Sequence, residues 1–299
     1  MPKVLISYLK LIRVHQWIKN FFIFAPIFFS FSFYDTEAII NASLAFIGFC
    51  CVASSIYIIN DWRDIEADRQ HPKKKLRPLA SGVISISSAL ILCLLLMAIG
   101  IGIYILVLKS IAATNLLIGY FILNLAYCFK LKQISIVDIS IVAIGFVIRL
   151  FIGSYATGIT LSYWIIILTF LLALLLVVGK RRTDVIIFSE TGKQMRKSIT
   201  GYNLEFVNSI IVIIVTAIIL SYIMYTISST VVEHNGEYLY ITSLFVILGL
   251  FRYLQAIFVE KKGDSPTKLL IYDRHLQTYI ALWVISFISI ALYHRHVSI

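Results

Sequence analysis

Long apolar runs alternate with short polar segments along this chain, and the runs are too long to be the buried face of a soluble helix or strand. Scanning for stretches of about twenty residues, enough to cross a ~30 Å hydrocarbon core, gives nine. They lie at roughly 17–33, 38–60, 84–107, 110–129, 134–155, 161–179, 205–229, 238–258 and 277–294. Inside lipid a segment must satisfy its own backbone polar groups, so each run is expected to be a helix. The expected fold is all-α, a polytopic membrane bundle of nine transmembrane helices forming a single domain over 1–299. Residues 1–16 read as an amphipathic lead-in lying at the interface. Lys10, Arg13 and Lys19 interrupt any early apolar core, so no cleavable signal peptide is evident. Residues 229–237 form the one sizeable loop on the outer side, and it is acidic.

Composition agrees, with 60% hydrophobic and 14% charged residues. Charge placement adds orientation. With the N-terminus in the cytoplasm, all of the 26 lysines and arginines except Lys109, Arg149 and Arg295 fall in cytoplasmic segments. Such a bias obeys the positive-inside rule on every loop. It places the chain in the cell (inner) membrane as a multi-pass protein with its polar loops facing the cytoplasm. The net charge of +11 is then directed at anionic lipid and phosphate-bearing substrates, not nucleic acid, for which no motif is present. Cys50, Cys51, Cys93 and Cys128 all sit in apolar runs without CxxC spacing, as inert thiols do.

The chemistry concentrates after the second run, in Asn60-Asp61-Trp62-Arg63-Asp64-Ile65-Glu66-Ala67-Asp68 followed by His71-Pro72-Lys73-Lys74-Lys75-Leu76-Arg77-Pro78. Asn60, Asp64 and Asp68 recur at i, i+4, i+8, with Asp61 three residues before Asp64. On a helix that spacing stacks four oxygen-bearing side chains on one face. Acidic residues do little to set topology, so their density here needs another cause. Oxygen-only ligands suit Mg²⁺, which shares its shell with substrate phosphates. Asn60, Asp61, Asp64 and Asp68 are therefore the candidate metal ligands, and Lys74 and Arg77 the candidate clamp on a diphosphate. The alternative is a solvated loop whose acids merely neutralise neighbouring cations. In the fifth run Asp138 and Arg149 stand about three turns apart. They form a polar stripe that either lines a substrate cavity or pairs with another helix. Arg13, Gln16, Lys19 and Asn20 form a polar face beside Trp17, which alone reads as an interfacial anchor. Lys130 and Lys132 stand at the cytoplasmic mouth of the fifth run, and Lys180-Arg181-Arg182-Thr183-Asp184 follows the sixth. That cluster echoes the one after the second run, as a degenerate repeat or as the positive-inside rule again.

On these residues the chain resembles the UbiA superfamily of intramembrane prenyltransferases, and within it the decaprenyl-phosphate phosphoribosyltransferases. The resemblance rests on Arg13-x-x-Gln16-Trp17-x-Lys19-Asn20 with Pro26, and on the Asn60–Pro78 stretch. Gly145-Phe146-x-x-Arg149, Gly179-Lys180-Arg181, Arg252-Tyr253, Asp264-x-Pro266-Thr267 and Asp273-Arg274 support it. Prenyl-diphosphate users of the superfamily carry a second DxxxD motif after the sixth helix. Here Asp184 is preceded by Lys180, Arg181 and Arg182, and Phe188 falls where the second acid would stand. The resemblance implies a Mg²⁺-dependent transferase that moves 5-phosphoribosyl from phosphoribosyl pyrophosphate to a polyprenyl phosphate and releases pyrophosphate. Asp61, Asp64, Asp68, Lys74 and Arg77 are its expected catalytic residues. Lys19, Asn20, Asn60, Lys132, Arg149, Lys180 and Arg181 are expected to bind substrate. The alternative is a prenyltransferase using a prenyl diphosphate and an aromatic or other acceptor. Expected partners are the two substrates, the membrane and, left open, further copies of the chain.

Overall fold

The structure is a computed structural model that describes residues 2–70, 74–192, 197–260, 269 and 271–297. His71, Pro72, Lys73, Asp264, Pro266 and Thr267, named above in the motifs, lie outside the described residues. Among the described residues every regular element is helical. The helices are α1 (Pro2–Leu11), α2 (Ala25–Ser30), α3 (Thr36–Arg63), α4 (Ile65–Arg69), α5 (Ile86–Gly102) and α6 (Ile111–Phe129). They continue with α7 (Val137–Thr157), α8 (Tyr163–Thr191), α9 (Leu204–Thr226), α10 (Ser229–Asn235), α11 (Ser243–Phe258) and α12 (Arg274–Val297). Eight helical stretches are long and apolar enough to cross a membrane, and they match the second to ninth expected runs. Polar caps start most of them. Asp35, Ser85, Ser110, Ser162 and Asn203 each accept a hydrogen bond from a backbone N–H of the helix they open.

The first expected run is not one long α-helix. Val14–Phe24 is a 3₁₀ helix that leads into the short α2, which ends at Phe31 with φ 56°. Three residues per turn explain the choice, because Trp17, Asn20 and Ile23 then lie in one line. That line faces α3 and α7: Trp17 Nε1 donates to Ser54 Oγ at 3.1 Å, Asn20 Nδ2 donates to Cys50 Sγ at 3.1 Å, and Ile23 is fully buried. At ~2.0 Å per 3₁₀ residue and ~1.5 Å per α residue, Val14–Ser30 has about the length of a ~30 Å hydrocarbon core. The expected outer loop at 229–237 contains the short helix α10, which Gly236 closes at φ 93°.

The chain forms two compact units. The first comprises Met1–Leu131 and Ile144–Leu161, the second Lys132–Ala143 and Ser162–Ile299. In the first unit α3 packs against α5 through glycines. A Cβ on Gly100 would stand 2.7 Å from the Gly48 carbonyl oxygen, and the buried Tyr104 hydroxyl donates to Ala45 O at 2.8 Å. Small residues let membrane helices approach this closely. Phe49, Val52, Leu117, Tyr120 and Ile152 fill the core of this unit. In the second unit α8 packs on α9 and α11 on α12 around Leu175, Val178, Ile211, Ile218 and Ile257. Large apolar side chains such as Leu94, Leu106, Ile213 and Ile285 are exposed, as lipid-facing positions are. A Cβ on Gly153 would overlap the Ile23 carbonyl, a backbone contact that cannot move independently. Gly153→Ala is therefore expected to cost about 1–3 kcal/mol through overpacking, seen as a lower unfolding temperature of the purified protein in detergent.

Candidate active site

The candidate metal ligands straddle a helix joint. α3 ends at Arg63, Asp64 takes φ −93° and ψ 10°, and α4 begins at Ile65. The i→i+4 ladder nevertheless continues, with Asp64 N donating to Asn60 O at 3.1 Å and Asp68 N to Asp64 O at 2.8 Å. The backbone ladder that links Asn60, Asp64 and Asp68 thus runs through the joint. Asp61 and Asp68 are 3% and 2% exposed, while Asn60 and Asp64 are half-buried.

Two guanidinium groups meet the buried acids. Arg77 follows the 3₁₀ turn Lys74–Leu76, and its Nη1 donates to Asp61 Oδ1 at 3.1 Å and to Asp68 Oδ2 at 2.6 Å. Arg13 also donates to Asp61 Oδ1, and its guanidinium lies 4.8 Å from the Tyr57 ring centroid. Arg13 holds a left-handed backbone (φ 53°, ψ 50°) between α1 and the 3₁₀ helix. The sequence placed Arg13 in a motif but gave it no role. Its partner is 48 residues away, so no local spacing could have shown the pair. Arg63, beside the acids, serves a different end: its guanidinium donates to the Cys128 carbonyl and, at 2.7 Å, to Phe129 O at the end of α6. Arg69 pairs with the exposed Glu66 at 2.9 Å.

The polar face of the 3₁₀ helix leads inward to Arg149. Arg149 Nε donates to Asn20 Oδ1 at 2.8 Å, Nη1 to Gly145 O at 2.6 Å and Nη2 to Tyr120 OH at 2.9 Å. The rings of Phe49, Tyr120 and Phe146 surround the guanidinium at 4.7, 5.0 and 5.3 Å. Among the described residues its partners are all neutral. Asn20 meets α3 at Cys50, eleven residues before Asp61, a rise of about 16 Å along an α-helix. Lys19 is half-buried on the 3₁₀ helix.

The second unit holds a separate ionic cluster. Asp138 is fully buried and accepts from Arg181 Nε at 2.7 Å, Tyr202 OH at 2.8 Å and Ser198 Oγ at 3.2 Å. Arg181 Nη1 also donates to Asp184 at 2.8 Å. Burial and the Asp138 carboxylate raise the pKa of the Tyr202 hydroxyl, which keeps it protonated as a donor. The stripe expected from Asp138 to Arg149 is thus divided, each end satisfied within its own unit. Arg182 donates to Asn208 Oδ1 at 2.8 Å and to Ile257 O at 3.0 Å. Lys180 is exposed on α8, and Lys132 lies on the 3₁₀ turn Leu131–Gln133. Arg252 grips Asp273 through two hydrogen bonds, at 3.1 and 2.5 Å, and Glu260 through two more, at 2.5 and 3.1 Å. The Arg252 hydrogen bonds hold the Asp273 carboxyl down at about 2, and Asp273 caps α12 by accepting from Leu276 N at 2.9 Å.

Known proteins resemble this arrangement over most of its length. Residues 21–276 match the UbiA prenyltransferase family. A decaprenyl-phosphate phosphoribosyltransferase of Mycolicibacterium smegmatis is 33% identical, over 95% of this chain and 92% of its own length. One from Corynebacterium glutamicum is 30% identical, over 92% of this chain and 84% of its own. In fold, a UbiA homolog from Archaeoglobus fulgidus bound to DMAPP and Mg²⁺ superposes with a TM-score of 0.70 at 17% identity, covering 95% of this chain and 99% of that one. Helical architecture, the acid-rich joint between α3 and α4 and the family match agree: the chain belongs to the UbiA prenyltransferase family.

Proposed function

We propose that this chain is a Mg²⁺-dependent transferase that moves the 5-phosphoribosyl group of phosphoribosyl pyrophosphate onto a polyprenyl phosphate and releases pyrophosphate. The observation that carries the reading is the asymmetry between the two ionic clusters. Asp61 and Asp68 converge on one cationic nitrogen, so they can share a cation. At the start of the other cluster Asp184 is bound to Arg181, and Phe188 stands where a second acid would be needed. One acidic metal cluster with abundant Lys and Arg suits a donor and an acceptor that both carry phosphate. The relatives that share about a third of the sequence bear the name of this activity.

The donor set suits the metal in its chemistry, although no three of the described acidic, histidine or cysteine residues stand together as a ready metal site. Asp61, Asp64 and Asp68, with Asn60, are the hard oxygen ligands Mg²⁺ takes. Bound there, Mg²⁺ would neutralise charge on the diphosphate. Arg77 and Lys74 hold the diphosphate and steady the charge that grows on it as the bond from ribose C1 to the pyrophosphate oxygen breaks. The leaving pyrophosphate keeps the electron pair. An oxygen of the lipid phosphate forms the new bond to C1 from the opposite face. That oxygen is already anionic, so no general base is needed. Asn20 and Arg149, deeper in the first unit, and Lys19, Lys132 and Lys180 are the groups proposed to hold the remaining phosphates. Arg181 we assign instead to bracing the second unit, because its charge is taken by Asp138 and Asp184. The chain works as one domain of nine crossings, with its N-terminus and site on the cytoplasmic side, as the distribution of basic residues supports.

A second reading, transfer from a prenyl diphosphate, is favoured by structural neighbours bound to DMAPP or GPP with Mg²⁺. Purified protein given Mg²⁺, labelled phosphoribosyl pyrophosphate and polyprenyl phosphate should produce lipid-linked label. Absence of that label together with turnover of a prenyl diphosphate would establish the second reading. Asp64→Asn should lower transfer by ~10²-fold or more with the unfolding temperature unchanged; retained activity would make the aspartate face structural. Asp138→Leu or Arg181→Met alone should each cost about 3–5 kcal/mol by stranding a buried charge. The double variant should recover much of that loss and keep the donor KM within about threefold. A tenfold rise in the double variant's KM would return Arg181 to the substrate.

A further inference from the structure

Asp61 Oδ1 accepts from both Arg13 and Arg77, and the same Arg77 Nη1 reaches Asp68 Oδ2. Among the described residues two buried carboxylates are therefore matched by two guanidinium groups. Arg77 Nη1 occupies the point that a cation shared by Asp61 and Asp68 would occupy. A Mg²⁺ ion needs its oxygens at about 2.0–2.1 Å, much closer than the 2.6 and 3.1 Å at which they surround Nη1. Nitrogen and metal cannot share that point. A divalent ion arriving alone would add two positive charges to a site whose acids are 3% and 2% exposed, and would part them from guanidiniums whose side chains are 20% and 27% exposed. A diphosphate arriving with it offers those guanidiniums new acceptors in bidentate geometry.

We infer that Arg13 and Arg77 act as exchangeable counter-cations: they compete with divalent metal for Asp61 and Asp68 and move to the donor diphosphate as the metal takes the carboxylates, so that metal and diphosphate bind as a coupled pair. The inference rests on the assignment of those carboxylates to the metal in the proposed function, but not on which diphosphate is the donor. It gives Arg13 a part in donor binding, and the lead-in segment becomes responsive to occupancy of the site. Coupling of this kind is reciprocal and commonly changes affinity by ~5–150-fold.

The test is metal binding, read by electron paramagnetic resonance of free Mn²⁺ on the full-length protein in detergent, with and without inorganic pyrophosphate and corrected for Mn²⁺ held by free pyrophosphate. Arg77→Gln and Arg13→Gln should bind Mn²⁺ alone at least ~10-fold more tightly than the unmodified protein. The same variants should bind Mn²⁺–pyrophosphate more weakly. Arg69→Gln removes the same charge nearby, but from an exposed pair with Glu66, and should leave both affinities within about threefold. Variants that lose both affinities, or change neither, overturn the inference, as does an Arg69→Gln effect equal to that of Arg77→Gln. If the glutamine variants do not fold, the unmodified protein decides: equal Mn²⁺ affinity with and without pyrophosphate overturns the coupling, and a tenfold gain supports it. Because the probe is inorganic pyrophosphate, the crossed pattern survives if the donor proves to be a prenyl diphosphate. Lipid-linked label without the crossed pattern removes this inference alone.

Discussion

Carboxylates buried among apolar helices must be neutralised, and that requirement organises both units of the chain. The cost of an unpaired charge is large in an interior of low dielectric constant and larger beside lipid, where no water can replace a missing partner. Asp61 draws Arg13 from the lead-in segment and Arg77 from beyond α4, which ties two stretches distant in sequence to the end of α3. Asp138 draws Arg181, Ser198 and Tyr202 from α8 and the segment after it. The same need is met in two ways, by guanidiniums shared on Asp61 and Asp68 in one cluster and by a guanidinium and two hydroxyls on Asp138 in the other.

The contrast gives the family resemblance its specific content. UbiA membership accounts for the helical architecture and for the acid-rich joint after α3. The structure adds Arg181 turned onto Asp138, and Arg149 in a ring of aromatic side chains with neutral hydrogen-bond partners. Among the described residues Arg149 meets neutral groups, whereas Arg181 is matched by Asp138 and Asp184.

Much of the fold was legible because lipid imposes a simple rule on sequence. Apolar length alone marks Thr36–Arg63, Tyr163–Thr191 and their neighbours as spans, and serine, asparagine and aspartate caps mark where they begin. The first segment was legible as a helix, but not which kind of helix. Hydropathy carries no information on helix type, and the line of Trp17, Asn20 and Ile23 that selects 3₁₀ geometry acquires meaning only when α3 and Gly153 are opposite it. The i+4 spacing of Asn60, Asp64 and Asp68 was legible because it is local, and the backbone ladder carries it through the joint at Asp64.

The sequence by itself determined that this is a helical membrane bundle and where along the chain its acids cluster. Those properties follow from length, apolarity and short-range periodicity, all of which act within a few turns of one helix. Only the tertiary structure decided which cation meets which acid. Arg13 with Asp61, Arg77 with Asp68, Arg181 with Asp138 and Arg149 with Asn20 span from 9 to 129 residues. Each pairing depends on which helix faces come together, and a list of charged residues contains no term for that.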